Sequence, residues 1–130
     1  MTVWANYGLP ADLLKGGLCM TGLYDLRPVA LSKNFAHVDL SSDEALALCP
    51  ALRRVMPGCP IIVAYAERDP AEAPRQALAF ADAIRAAGRR VQVLTSQGND
   101  HWSNASSLGR PDGAMAIAAL RAIVMGNNWA

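Results

Sequence analysis

The chain has 130 residues, of which 52% are hydrophobic and 18% charged, with a formal net charge of +1. That is enough apolar material for one core, and it excludes a disordered tail. The near-neutral balance, without a basic run, gives no electrostatic footprint for nucleic acid or an anionic membrane; the short pairs Arg53, Arg54 and Arg89, Arg90 read as solvated element ends.

Residues Met1 to Pro10 carry Trp4, Tyr7 and the punctuation Gly8, Pro10, and read as the tail of a helix or a loop. No charged leader region followed by an apolar one opens the chain, and no segment approaches the about 18 apolar residues of a membrane span. Three cysteines, Cys19, Cys49 and Cys59, lack metal-ligand spacing and leave one thiol over in any disulfide scheme. They are read as inert thiols of a reducing compartment, so the cytoplasm is the expected location. The first strand is expected over Gly16 to Gly22, a compact apolar run between glycines. Leu23 to Lys33 reads as a turn at Asp25 and Pro28 with one helical turn. Ser41 and Glu44 then form a capping box in front of a short helix that Pro50 ends, and Ala51 to Met56 reads as a further turn.

The stretch from Pro60 to His101 is the most informative. An apolar run, Ile61 to Ala66, stops at Glu67, Arg68, Asp69, Pro70. An amphipathic helix from about Ala73 to Ala87 follows, with Pro74 in its first turn and Gly88 as its stop; Ala77, Leu78, Phe80, Ala81 and Ile84 are assigned to its sheet-facing side. A second β-rich run, Val91 to Thr95, stops at Ser96 to His101. Strand, helix and strand at this spacing form a βαβ unit with parallel strands, so both following loops emerge at one edge of the sheet. In open α/β sheets, that carboxyl edge is where ligands bind. The expected fold is therefore α/β: three parallel strands (about 16–22, 60–66 and 90–95) with flanking helices in one domain over residues 1–130. A last helix is expected from about Asp112 to Met125, apolar over so much of its circumference that more than one side should be covered.

Asp69 and His101 stand in the two loops. A carboxylate that fixes an imidazole tautomer and stabilises the imidazolium makes histidine a general base and then a general acid near neutral pH. The spacing alone equally allows Asp69 to be a cap or turn residue and His101 an ordinary loop histidine. No G-x-S-x-G nucleophile elbow occurs in the sequence, and Ser32, Ser41, Ser42, Ser96, Ser103, Ser106 and Ser107 fall in loops or caps. A metal set of His37, Asp39, Asp100 and His101 is conceivable but has no spacing signature, so neither metal nor cofactor is expected. Trp102 and Tyr24 are aromatic candidates for lining a pocket.

Three segments carry a resemblance: Lys15 to Ser32 (KGGLCMTGLYDLRPVALS), Glu67 to Gly88 (ERDPAEAPRQALAFADAIRAAG) and Gly98 to Trp102 (GNDHW). Together they resemble the C-terminal part of α/β-hydrolases of the kynurenine formamidase (arylformamidase) and carboxylesterase type. The resemblance implies that Asp69 is the triad acid and His101 the triad histidine, acting on a small ester or amide. It also implies that the nucleophile, the oxyanion motif and the first strands of the sheet are missing from these residues. No hydrolysis by this chain alone is then expected. The strand at Gly16 to Gly22 becomes a bare edge, favouring a homo-oligomer or a partner chain that supplies the N-terminal half. The alternative is an inactive hydrolase-like module that self-associates or binds a partner chain.

Overall fold

The computed structural model describes residues 7–10, 13–52 and 59–125. Its centre is a three-stranded parallel sheet in the order β1-β2-β3, with β1 at Gly17–Met20, β2 at Ile61–Ala66 and β3 at Val91–Ser96. All three expected strands are present at the expected places. β1 is shorter than its apolar run because Thr21 adopts φ 42°, in the left-handed region, which ends the extended backbone.

Side chains alternate between the two faces of the sheet. On one face Ile61 and Val63 pack under helix α3 (Glu72–Ala86) through Ala77, Phe80, Ala81 and Ile84. Tyr24 joins them, stacked on Phe80 with ring centroids 4.3 Å apart, so it is a core residue. Leu78, assigned from sequence to the buried side, is exposed instead. It lies about 100° round the helix from Ala77, beyond the stripe that Ala77, Phe80, Ala81 and Ile84 define.

The buried face of α3 includes a polar residue that hydrophobic periodicity passes over. Gln76 is buried, and its Oε1 accepts the backbone N–H groups of Tyr24 and Asp25, each at 2.8 Å. Its Nε2 donates to the Asp25 carbonyl at 3.1 Å and to Glu72 at 2.9 Å. One amide thus fixes the loop after β1 to the first turn of α3.

On the opposite face Ile62 and Ala64 pack against Met115 and Ala118 of helix α5 (Ala114–Met125), with Leu18, Met20 and Leu94 alongside. Between β1 and β2 the chain forms α1 (Arg27–Ala30) and α2 (Ser42–Leu48). The capping box of α2 is as expected: the Ser41 hydroxyl accepts the Glu44 N–H, and the Glu44 side chain accepts the Ser41 N–H at 3.0 Å. The helix stops at Leu48 because Pro50 disfavours helical geometry at Cys49, whose ψ is 112°. Arg53, Arg54, Trp4 and most of the expected turn at Ala51 to Met56 lie outside the described residues.

Cys49 is buried with its Sγ 3.2 Å from the Tyr24 carbonyl. Cys19 and Cys59 are only half-buried, and all three thiols are free. Burial pushes the Cys19 thiol up from its ordinary range, away from the reactive thiolate.

Candidate active site

The two loops at the carboxyl edge of β2 and β3 are tied together by hydrogen bonds. The Glu67 N–H donates to the Ser96 carbonyl at 3.1 Å, and the Arg68 N–H to the Asn99 carbonyl at 3.0 Å. In return the Gly98 N–H donates to Glu67 Oε2 at 2.6 Å. Gly98 has φ +70°, a conformation that glycine adopts without the Cβ penalty. The Asn99 amide closes the turn onto Ser96 Oγ at 2.8 Å.

Asp69 and His101 meet across these loops. His101 Nδ1 lies 3.0 Å from Asp69 Oδ1, the Asp69 side chain is 0% exposed, and the His101 side chain is 48% exposed. The other carboxylate oxygen, Oδ2, accepts the Ala66 N–H at 2.7 Å. An ionised carboxylate only accepts, so the imidazole donates from Nδ1, and in the neutral ring that tautomer leaves the lone pair on Nε2. The Asp69 hydrogen bonds hold the acid from behind, through the backbone of the strand it follows, while the histidine stands at the surface. Buried acid and accessible base is the arrangement that orients an imidazole for proton transfer. Among the described residues, the bond to Asp69 is the one side-chain hydrogen bond His101 makes.

His101 is not a loop residue. It is the first residue of a short helix, α4 (His101–Ser106), which hydrophobic periodicity misses because HWSNAS has no apolar repeat. The available signal was the spacing of Asp100 and Ser103. Asp100 Oδ1 accepts the N–H groups of Trp102 at 3.1 Å and Ser103 at 2.8 Å, and Ser103 Oγ accepts the Asp100 N–H at 2.8 Å. The Ser103 N–H foremost, then the Ser103 hydroxyl donating to Oδ1 and the Trp102 N–H, hold the Asp100 carboxyl below the usual carboxylate range. Trp102 is 79% exposed and meets the imidazole edge-on, with centroids 5.4 Å apart.

The far end of α4 is locked to α5. Ser107 Oγ donates to the Asn104 carbonyl at 2.7 Å and accepts the Met115 N–H at 3.2 Å. Gly113 fits only because it lacks a side chain: a Cβ there would lie 1.9 Å from the Ser107 carbonyl oxygen. His101 is therefore positioned by its Asp69 bond and by a short helix fixed at both ends.

The conceivable metal set is not assembled. His37 stacks near Phe35, Asp100 is occupied as a cap, and no group of three or more His, Cys, Asp or Glu that could hold a metal occurs among the described residues. Nor is any described helix long and apolar enough to cross a membrane.

No family model matches the chain. Over 107 residues it is 27% identical to the kynurenine formamidase of Danio rerio, a match covering 78% of this chain and 36% of that protein. Among solved structures it is similar to an esterase from Thermogutta terrifontis, with a TM-score of 0.54 and 15% identity over 86% of this chain and 42% of that one. It is also similar to carboxyl esterase 2 from Tuber melanosporum, with a TM-score of 0.53 and 20% identity over 92% of this chain and 45% of that one. The chain thus has the fold of α/β-hydrolase esterases and spans less than half of their length, a share consistent with the C-terminal part of that fold.

Proposed function

We propose that this chain is the C-terminal portion of a serine hydrolase cleaving small esters or N-formyl aryl amides, and that it forms a single partial domain contributing the acid and the histidine of the triad. The observation that carries the reading is the 3.0 Å contact between His101 Nδ1 and the Asp69 carboxylate, whose side chain is fully buried. In the proposed mechanism Asp69 holds the tautomer with the proton on Nδ1. His101 Nε2 takes the proton of a serine hydroxyl as that oxygen attacks the acyl carbon, and returns it to the leaving group. Asp69 stabilises the imidazolium in between. The serine and the oxyanion donors lie outside these 130 residues in this reading, which agrees with the absence of any G-x-S-x-G from the sequence.

The test is hydrolysis of p-nitrophenyl acetate. The purified chain is expected to match buffer, and a G-x-S-x-G-bearing segment supplied in trans should restore turnover that His101→Ala and Asp69→Asn abolish. Losing one triad member costs on the order of 10⁴- to 10⁶-fold in kcat. Hydrolysis by the chain alone, lost on His101→Ala, would mean that the nucleophile lies within these residues.

A second reading, a non-catalytic module that self-associates, is favoured by one feature. β1 pairs only with β2 among the described strands. Because the Gly17 and Thr21 N–H groups bond to the Pro60 and Ala64 carbonyls of the β2 segment, the main-chain groups of Leu18 and Met20 point to the open edge. Beside that edge a groove of about 330 Å³ runs between Gly16, Gly17, Leu18 and Ala119, Ala122, Ile123. Light scattering separates the readings: a stable monomer removes the second.

A further inference from the structure

Among the described residues, four polar residues are buried as whole residues, main chain included: Gln76, Ser96, Asn104 and Ser107. Three have partners for their side chains, as the Gln76 clamp, the Asn99–Ser96 bond and the Ser107 link to α5 show. Asn104 is the exception. Both its Nδ2 and its Oδ1 are buried without a hydrogen-bond partner, although its main-chain N–H and carbonyl are each bonded, to Asp100 and Ser107.

A buried primary amide has two donors and a two-lone-pair acceptor, and leaving them unpaired is disfavoured strongly enough that such groups are nearly always satisfied by protein or by internal water. Asn104 is 0% exposed, so whatever pairs with it must be enclosed by this chain and small. It must also both accept from Nδ2 and donate to Oδ1. We infer that Asn104 binds an internal water molecule, held by its amide at the interface where α4 packs on β2 and α5. One water bridges the N–H and C=O of a primary amide in a cyclic pair, and such internal waters are ordinary components of folded domains.

The site matters because of where it lies. Asn104 is three residues after His101, one turn along the same side of α4. The capping box fixes the start of that helix and the Ser107 link fixes its end, and the water pairs Oδ1 and one Nδ2 hydrogen of the amide buried between them. The inference stands whether or not His101 is catalytic.

Nuclear magnetic resonance on the isotope-labelled chain tests it. Cross-peaks between water and the Asn104 side-chain protons, opposite in sign in NOE and ROE spectra, are the expected signature of a long-lived bound water. Their absence, or cross-peaks of equal sign that mark exchange alone, would overturn the inference. Asn104→Leu gives an independent readout in thermal melting. The apolar isostere should lower Tm, because a satisfied amide and its water are lost. A rise in Tm would show that the amide is bare, and would equally overturn it.

Discussion

The two faces of the sheet are built to different degrees of completeness. On the α3 face the Tyr24–Phe80 stack, Ile84 and the Gln76 clamp close the core, and the loop after β1 is bonded down onto the helix. On the α5 face Met115 and Ala118 reach the sheet, but Leu120, Ile123 and Val124 point outward, Val124 at 83% exposure. One helix has found its partners on the side that needs them, and the other keeps an apolar stripe unpartnered among the described residues. The Asp69–His101 pair draws on the finished parts of the molecule. Asp69 hangs from β2, and His101 from a helix locked to the N-terminal end of α5, whereas the unfinished parts are the β1 edge and the outer side of α5.

Phe80→Ala should break the comparison from the closed side. Removing a buried aromatic ring that is 5% exposed and stacked on Tyr24 is expected to cost about 3–5 kcal/mol in urea unfolding. A cost below about 1 kcal/mol would mean that the α3 face is no better closed than the other.

Acid sharpens the comparison at the clamp. Hydrogen bonds from Arg27 hold the Asp25 carboxyl down at about 2, against an ordinary 3.8. A carboxylate whose pKa is depressed by folding adds stability that is fully present above its unfolded value and is lost as the pH falls through its folded one. The Asp25 share should therefore be intact above about 3.8 and disappear as the pH falls towards about 2. Other carboxyls are also depressed, Glu72 by Arg75 among them, so the measurement is a difference. Between pH 5 and pH 2, Asp25→Asn should lose roughly 4 °C less in Tm than the parent chain. Parallel melting curves for the two proteins would remove Asp25 from the account.

The smallest effect belongs to the open side. Val124→Lys should leave unfolding stability within about 0.5 kcal/mol, since the side chain it replaces is already in water. If the stripe does mediate self-association, the same substitution shifts the chain towards monomer in light scattering. A large loss of monomer stability would instead show that Val124 is covered within the chain.

Much of this molecule is legible in its sequence. Apolar runs bounded by turn residues located all three strands, and the capping box at Ser41 and Glu44 located α2, because these signals are local and depend on residues a few positions apart. The βαβ spacing put Asp69 and His101 at one edge of the sheet for the same reason: two parallel strands must deliver their loops to the same end. What local pattern could not supply was α4, whose start is set by side-chain caps without any apolar period, and the burial of Gln76 and Asn104, which reads as polarity until the fold closes over it. Leu78 is exposed despite its apolar neighbours because a window of apolar residues fixes the direction of a helical stripe but not its width. Local pattern in the sequence sets the α/β layout and marks the two candidate residues. Tertiary structure alone decided that the acid is fully buried while the histidine is half exposed, and that one face of the sheet is closed and the other open. Those properties depend on contacts between segments tens of residues apart, whose geometry no local spacing records.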